Sequence, residues 1–239
     1  MKNSAAHPRI FQFRKFSIGD DRCAMKVGTD AVLLGAWVSV AGAKRILDIG
    51  TGCGVIALML AQRTNDDAII NAVEIEAADA RQAKDNVLKS PWLKKVTVHQ
   101  KAIQAFDIGE RFDLIVSNPP YYVNSLLPPA RARAQARHGK SLTAEELIDQ
   151  SLRLLRPSGK LAVVLPFAEG NEFRQRAKAK GMFIRRQLAF YSRREKPQER
   201  WLFELALTGG RVEQEELILY ETMLAKSQAY ISLTKDFYL

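Results

Sequence analysis

The segment Lys44-Arg45-Ile46-Leu47-Asp48-Ile49-Gly50-Thr51-Gly52-Cys53-Gly54 lays an apolar strand, a glycine-rich turn and a helix start end to end. An apolar run with helical spacing continues from Val55 to Ala61. A strand leading through such a turn into a helix is the opening unit of a parallel α/β sheet. The glycines let backbone approach a ligand closely, and the helix start offers unpaired N–H groups to an anion. Ala68 to Val73 repeats the buried-strand pattern and ends at Glu74, twenty residues after Gly54. An acidic residue at that tip is where an open α/β sheet hydrogen-bonds a ribose diol. Gly-x-Gly-x-Gly is also close to the dinucleotide-binding fingerprint, so this unit leaves two readings open.

The fourth strand separates them. Residues 112–122 read Phe-Asp-Leu-Ile-Val-Ser-Asn-Pro-Pro-Tyr-Tyr, an apolar strand running straight into Asn118-Pro119-Pro120-Tyr121. Two consecutive prolines stiffen the backbone. A stiff turn can aim the side-chain amide oxygen of Asn118 and the carbonyl of Pro119 at one point. Two acceptors converging beside the aromatic face of Tyr121 suit a flat molecule held by its exocyclic amino group. A proline turn that merely closes a strand is the plain alternative. A dehydrogenase has no need of this turn, whereas an enzyme methylating an amino group does.

Elsewhere the chain reads as one α/β unit with an N-terminal extension. Ile10 to Lys15 and Arg22 to Lys26 flank an Ile-Gly-Asp-Asp turn and predict a short hairpin. Thr29-Asp30 opens an apolar helix through Trp37, with either residue available as its cap. Alternation then follows: strand 44–49, helix 54–64, strand 68–74, helix 77–89, strand 94–99 and strand 112–117. Thr143-Ala-Glu-Glu146 is a capping box for a helix ending before Pro157. Strand 161–165 and helix 170–180 come next, and 183–191 with 200–207 predicts an antiparallel closing pair. The division expected is an extension over 1–43 packed on a catalytic domain over 44–239.

With 239 residues and 47% hydrophobic content, the chain can bury one substantial core and is not disordered. No apolar stretch reaches membrane-spanning length and no signal-peptide pattern opens the chain. Cys23 and Cys53 fall outside metal-ligand spacing, and His7, His99 and His138 are scattered. Reduced thiols, no metal and a cytoplasmic location are expected. A net charge of +10 suits a polyanion such as RNA. Arg131, Arg133, Arg137 and Lys140 follow the Asn-Pro-Pro-Tyr turn directly, where substrate phosphates would pass. A second basic stretch, Arg174 to Lys196, is equally readable as a solvated helix face and loop.

The glycine turn, Glu74 and Asn-Pro-Pro-Tyr together resemble the class I S-adenosylmethionine-dependent methyltransferases of the Asn-Pro-Pro-Tyr branch. Residues 20–37, Asp-Asp-Arg-Cys-Ala-Met-Lys-Val-Gly-Thr-Asp-Ala-Val-Leu-Leu-Gly-Ala-Trp, and the ending Tyr230-Ile-Ser-Leu-Thr-Lys-Asp-Phe-Tyr-Leu239 narrow the likeness. Both are similar to segments of the adenine-N6 methyltransferases of valine tRNA, and the resemblance runs from about Phe11 to Leu239. It implies a seven-stranded, mostly parallel sheet with helices on both faces, preceded by a hairpin-plus-helix extension. It also implies S-adenosylmethionine as cofactor, with S-adenosylhomocysteine as product, and tRNA as partner to a monomer. The target is the N6 amino group of the adenosine beside the anticodon. Carried over by position, Asn118, Pro119, Pro120 and Tyr121 are catalytic. Lys26, Thr29, Asp48, Gly50, Thr51, Gly52, Gly54, Glu74, Ile75, Ala102, Ile103 and Asn118 hold the cofactor. Arg131, Arg133, Arg137 and Lys140 meet RNA.

One position departs from the pattern. Many related enzymes carry, after the third strand, an acidic residue that accepts from the cofactor's adenine amino group; here Ala102 stands in its place. Gln104 or backbone near Ile103 would have to substitute, with Ile103 packing on the adenine face. The rival readings are a glutamine-N5 methyltransferase of a release factor, a DNA adenine methyltransferase, and a non-catalytic RNA-binding protein on the same scaffold. The residues before Leu47 leave little room for the helical N-terminal domain of the first, and no segment is long enough for a target-recognition domain of the second.

Overall fold

The computed structural model describes residues 10–120 and 142–238; Tyr121, Arg131, Arg133, Arg137 and Lys140 lie outside them. In chain order, β1 (Ile10–Gln12) and β2 (Ser17–Gly19) precede α1 (Thr29–Trp37). The alternating region comprises β3 (Arg45–Ile49), α2 (Val55–Arg63), β4 (Ile69–Glu74), α3 (Ala77–Leu88), β5 (Val96–Gln100) and β6 (Phe112–Ser117). After it come α4 (Ala144–Leu154), β7 (Leu155–Pro166), α5 (Phe167–Ala179), β8 (Phe183–Arg193), β9 (Arg200–Ala206), β10 (Glu213–Tyr220) and α6 (Gln228–Thr234).

β3 to β10 form one eight-stranded sheet in the order β10-β8-β9-β7-β6-β3-β4-β5. Only β9 runs against its neighbours, pairing antiparallel with both β7 and β8. Strand periodicity sends alternate residues to opposite faces, and both faces are covered. Ile46, Leu114, Val116, Ala162 and Val164 join a core cluster with residues of α1, α2 and α6. Leu47, Ile49, Ile115, Leu161 and Val163 join a second with residues of α4 and α5. α1 is buried along Ala31–Trp37 and α2 along Val55–Ala61, so these two helices are apolar nearly all round.

Three expectations are corrected. Among the described residues the sheet has eight strands, because the acid-rich stretch from Glu213 pairs in parallel with β8: the register sets Glu213 against Arg186, whose guanidinium pairs with the Glu215 carboxylate. The hairpin lies earlier than the Ile-Gly-Asp-Asp turn: Ile10 pairs with Gly19, and the Phe13 N–H donates to the Phe16 carbonyl at 2.9 Å. Its turn is anchored by those two rings, stacked 4.5 Å apart and buried in the core. Ile18 and Gly19 of that segment end β2, and Asp20 opens a loop in which its Oδ2 accepts from the Val27 N–H at 3.0 Å. Finally, Gly28 is the N-cap of α1, without a side-chain cap. The capping box on α4 is as expected: Thr143 Oγ1 accepts from the Glu146 N–H at 3.1 Å, and Glu146 Oε2 from the Thr143 N–H at 2.8 Å. Among the described residues no helix is long and apolar enough to cross a membrane, and no cluster of three His, Cys, Asp or Glu is placed to hold a metal.

Candidate active site

Chain order along the sheet reverses between β3 and β6: β4 and β5 continue to one side of β3, and β6 lies on the other. In open α/β sheets the crevice at such a switch point is where ligands bind. Ile49 and Ser117 are direct neighbours in the register, and the Ser117 hydroxyl donates to the Ile49 carbonyl at 2.9 Å. Gly50 and Asn118, the next residues on each strand, therefore leave the sheet side by side. Pro119 is buried and Pro120 exposed.

The glycine turn is held from below. The Gly50 and Thr51 N–H groups donate to the Val73 carbonyl at 2.9 and 3.1 Å. Gly50 and Gly52 sit at φ 71° and 55°, and a Cβ on either would meet no atom within 4 Å. Each needs glycine for its backbone, and each leaves open space above it. Gly54 is the N-cap of α2 and packs against Ala83. Asp48, fully buried, accepts from the Thr51 hydroxyl at 2.6 Å through Oδ2, while its Oδ1 has no hydrogen-bond partner among the described residues. Burial pushes its carboxyl up to about 7; the Thr51 hydroxyl and the Ala57 N–H oppose the shift, and the nearby Glu74 adds to it. Glu74 ties two loops together, accepting from the Gly52 N–H and the Glu76 N–H, both at 2.9 Å. Desolvation raises its pKa too, against those two bonds.

Above the turn opens a cleft of about 350 Å³. Six of the expected residues line it: Lys26, Thr29, Gly50, Thr51, Gly52 and Asn118. Asp48 and Glu74 do not line it but hold Thr51 and Gly52, which do. Ile75 is exposed, Ala102 half-buried, and Ile103 buried in the second core cluster; none of the three lines the cleft. Gln104, the suggested substitute at the adenine position, donates to Glu146 Oε1 at 3.0 Å. The Lys26 ammonium donates to the carbonyls of Asp20, Asp21 and Cys23, at 2.5, 3.3 and 3.2 Å, closing its own loop.

Sequence reasoning missed the opposite wall. Phe190, Ser192, Glu199, Arg200 and Leu219 line it with Asp30, and Arg200 Nε donates to Asp30 Oδ2 at 2.9 Å. Strand direction is the signal that finds them. β8 and β10 run parallel to β7, so their C-terminal ends and the start of β9 share the edge reached by Gly50 and Asn118. The carboxylates Asp30 and Glu199 of this lining are matched by the cations Lys26 and Arg200, so the charged groups around the open glycines balance.

The methyltransferase small domain model matches residues 23–175. A tRNA1(Val) (adenine(37)-N6)-methyltransferase from Tolumonas auensis is 44% identical over 96% of this chain and 96% of its own length. One from Escherichia coli O157:H7 is 42% identical over 96% of this chain and 94% of its own length. This chain belongs to the tRNA1(Val) (adenine(37)-N6)-methyltransferase family. Its fold is shared by the crystal structure of a predicted O-methyltransferase from Agrobacterium tumefaciens, at a TM-score of 0.65 and 20% identity over 87% of this chain and 96% of that one. The fold is thus that of the class I methyltransferases.

Proposed function

We propose that the protein transfers the methyl group of S-adenosylmethionine to the N6 amino group of adenosine 37 in tRNA1(Val). The observation that carries this is the pairing of Ile49 with Ser117, which brings the glycine turn and Asn118 to one cleft. The bound cofactor supplies an electrophilic methyl on a sulfonium. Gly50, Thr51 and Gly52 would face it, with Asp48 and Glu74 fixing that turn from beneath. Glu74 retains lone pairs for the ribose hydroxyls while holding Gly52 and Glu76.

The chain's own part in the chemistry is positioning. An aromatic amino group is a poor nucleophile because its lone pair is delocalised into the ring. Asn118 and the Pro119 carbonyl, accepting the two amino hydrogens, favour a pyramidal nitrogen with its lone pair free. Those bonds strengthen as positive charge develops on nitrogen, which lowers the barrier electrostatically. Tyr121 offers the face on which the base rests, and an unpaired anticodon-loop adenosine is cheap to unstack. Arg131, Arg133, Arg137 and Lys140 take phosphates beside it. A monomer in the cytoplasm goes with this reading.

The test offers tritiated S-adenosylmethionine with tRNA from a strain lacking the protein, with release factor, and with duplex DNA. Label in tRNA alone is expected, recovered as N6-methyladenosine at position 37 by nucleoside mass spectrometry. Label in release factor alone would transfer the assignment to a protein amide.

A further inference from the structure

The second basic stretch, Arg174 to Lys196, is divided by the fold. Most of its first part is engaged within the molecule. Arg176 pairs with Glu145 at 3.0 Å and Lys180 with Asp149 at 2.5 Å. Arg185 donates to the carbonyls of Thr208 and Gly209, and Arg186 pairs with Glu204 and Glu215. α5 follows β7 and runs back from the cleft edge, so Lys178, near its C-terminal end, lies toward the opposite edge. The rest is placed differently. Arg193 ends β8, and Arg194 and Lys196 are exposed in the turn to β9, which Ser192, Glu199 and Arg200 root in the cleft wall. No ion pair within the described residues engages Arg193, Arg194 or Lys196, and Glu195 is the only acid between Arg193 and Gln198.

A second loop leaves the same edge. β10 ends at Tyr220, one residue after Leu219 of the cleft wall, and the chain turns through 221–226 into α6. The turn is closed by the Glu221 N–H donating to the Ala225 carbonyl at 2.9 Å and by a bridge between Tyr220 and Lys226. At its tip Met223 is 78% and Leu224 97% exposed. A closed turn that holds two large apolar side chains in water serves no packing within the described fold.

We propose that these two loops are a docking edge for the substrate RNA: Arg193, Arg194 and Lys196 meet phosphates flanking the target nucleotide, and the Met223-Leu224 tip packs against bases unstacked around it. This rests on the tRNA reading of the cleft and adds where the RNA lies. The chemistry matches on both counts. A single-stranded loop carries a phosphate at each step and an apolar face on each splayed base. Apolar side chains without hydrogen-bonding groups are also what proteins insert beside unstacked bases. Charge complementarity favours an anionic partner for a chain of net charge +10.

The test compares full-length protein with two combined variants, using fluorescently labelled tRNA across a salt series. Arg193→Gln with Arg194→Gln and Lys196→Gln should lower tRNA affinity on the order of tenfold or more and reduce the slope of log affinity against log salt by roughly 2–3. Met223→Ser with Leu224→Ser should weaken binding and raise KM for tRNA while leaving that slope unchanged. S-adenosylmethionine affinity by calorimetry should be the same in all, and Arg174→Gln with Lys178→Gln should match the parent throughout. A triple variant that methylates and binds tRNA with the parent's affinity and slope overturns the docking edge and leaves the tRNA reading standing. Parent protein that neither binds nor methylates tRNA removes both. Should the three cations instead govern binding to anionic lipid vesicles while tRNA binding is unaffected, the edge belongs to a membrane surface and the proposal fails.

Discussion

In the proposed mechanism Asn118 is the residue on which the chemistry turns, because the β3–β6 register brings it beside the glycine turn. Replacing it with alanine removes one preorganised acceptor, and turnover should fall on the order of 10²–10³-fold. Single-turnover kinetics with saturating cofactor checks this, and near-normal turnover in a folded variant would remove Asn118 from the mechanism. Glu74→Ala removes the acceptor of the Gly52 N–H as well as the proposed ribose contact, so cofactor binding should weaken by roughly 1.5–3 kcal/mol. Unchanged affinity in a titration would show that the ribose is held elsewhere. Asp48 gives a pH dependence. Burial raises its pKa to about 7 in the folded chain, against roughly 3.9 unfolded. Between those values the folded state binds the extra proton, so stability falls as pH rises and levels off above about 7. Asp48→Asn, neutral throughout, should therefore gain in Tm relative to the parent between pH 5 and pH 7.5. A gap that stays constant across that range would mean Asp48 does not titrate there.

Arg186 joins elements that the sequence keeps far apart. Its guanidinium lies 4.3 Å from the Trp37 ring centroid of α1 and donates to the Trp37 carbonyl at 3.1 Å. It also pairs with Glu204 of β9, which is 1% exposed, and with Glu215 of β10. Arg186→Ala would leave the buried Glu204 carboxylate undercompensated, and urea unfolding should show a loss of about 3–5 kcal/mol. Adding Glu204→Gln should recover part of it, since the uncompensated charge is then gone. The same region marks the limit of what the residues disclosed in advance. β3, β4 and β6 were legible because strands buried on both faces read as unbroken apolar runs. β10 was not, because Glu213, Glu215 and Glu216 make an edge strand look like a solvated segment, and only pairing with β8 shows otherwise. The glycine turn and Asn118 were legible as local motifs. The wall facing them was not, because Asp30 and Arg200 meet across 170 residues and no local pattern announces the contact.

At the scale of the whole molecule, the N-terminal extension shares its core with the sheet. Phe13, Phe16 and Ile18 belong to the same buried cluster as Leu58, Leu202, Leu217, Tyr230 and Phe237. Backbone ties reinforce this: the Arg14 N–H donates to the Phe237 carbonyl at 2.9 Å, and the Gly19 N–H donates to Asn86 Oδ1 at 2.9 Å. An extension embedded in this way has no core of its own to keep once the sheet is lost. We therefore expect residues 1–43 and 44–239 to unfold together. The three tryptophans report on three places: Trp37 on α1, Trp201 on β9, and Trp92 on the hairpin, whose Phe16 ring it meets edge-on at 5.6 Å. Single-tryptophan variants, with the other two replaced by phenylalanine, should show one urea midpoint, coincident with far-UV circular dichroism. A Trp92 signal that is lost well before the Trp201 signal would separate the hairpin as a unit of lower stability. In that event, a chain starting at Gly28 should keep its sheet and a cooperative melt. If the transitions coincide, the same truncation should expose Ile46, Leu58 and Tyr230 to solvent, bind an apolar dye, and lose the cleft along with the cooperative melt.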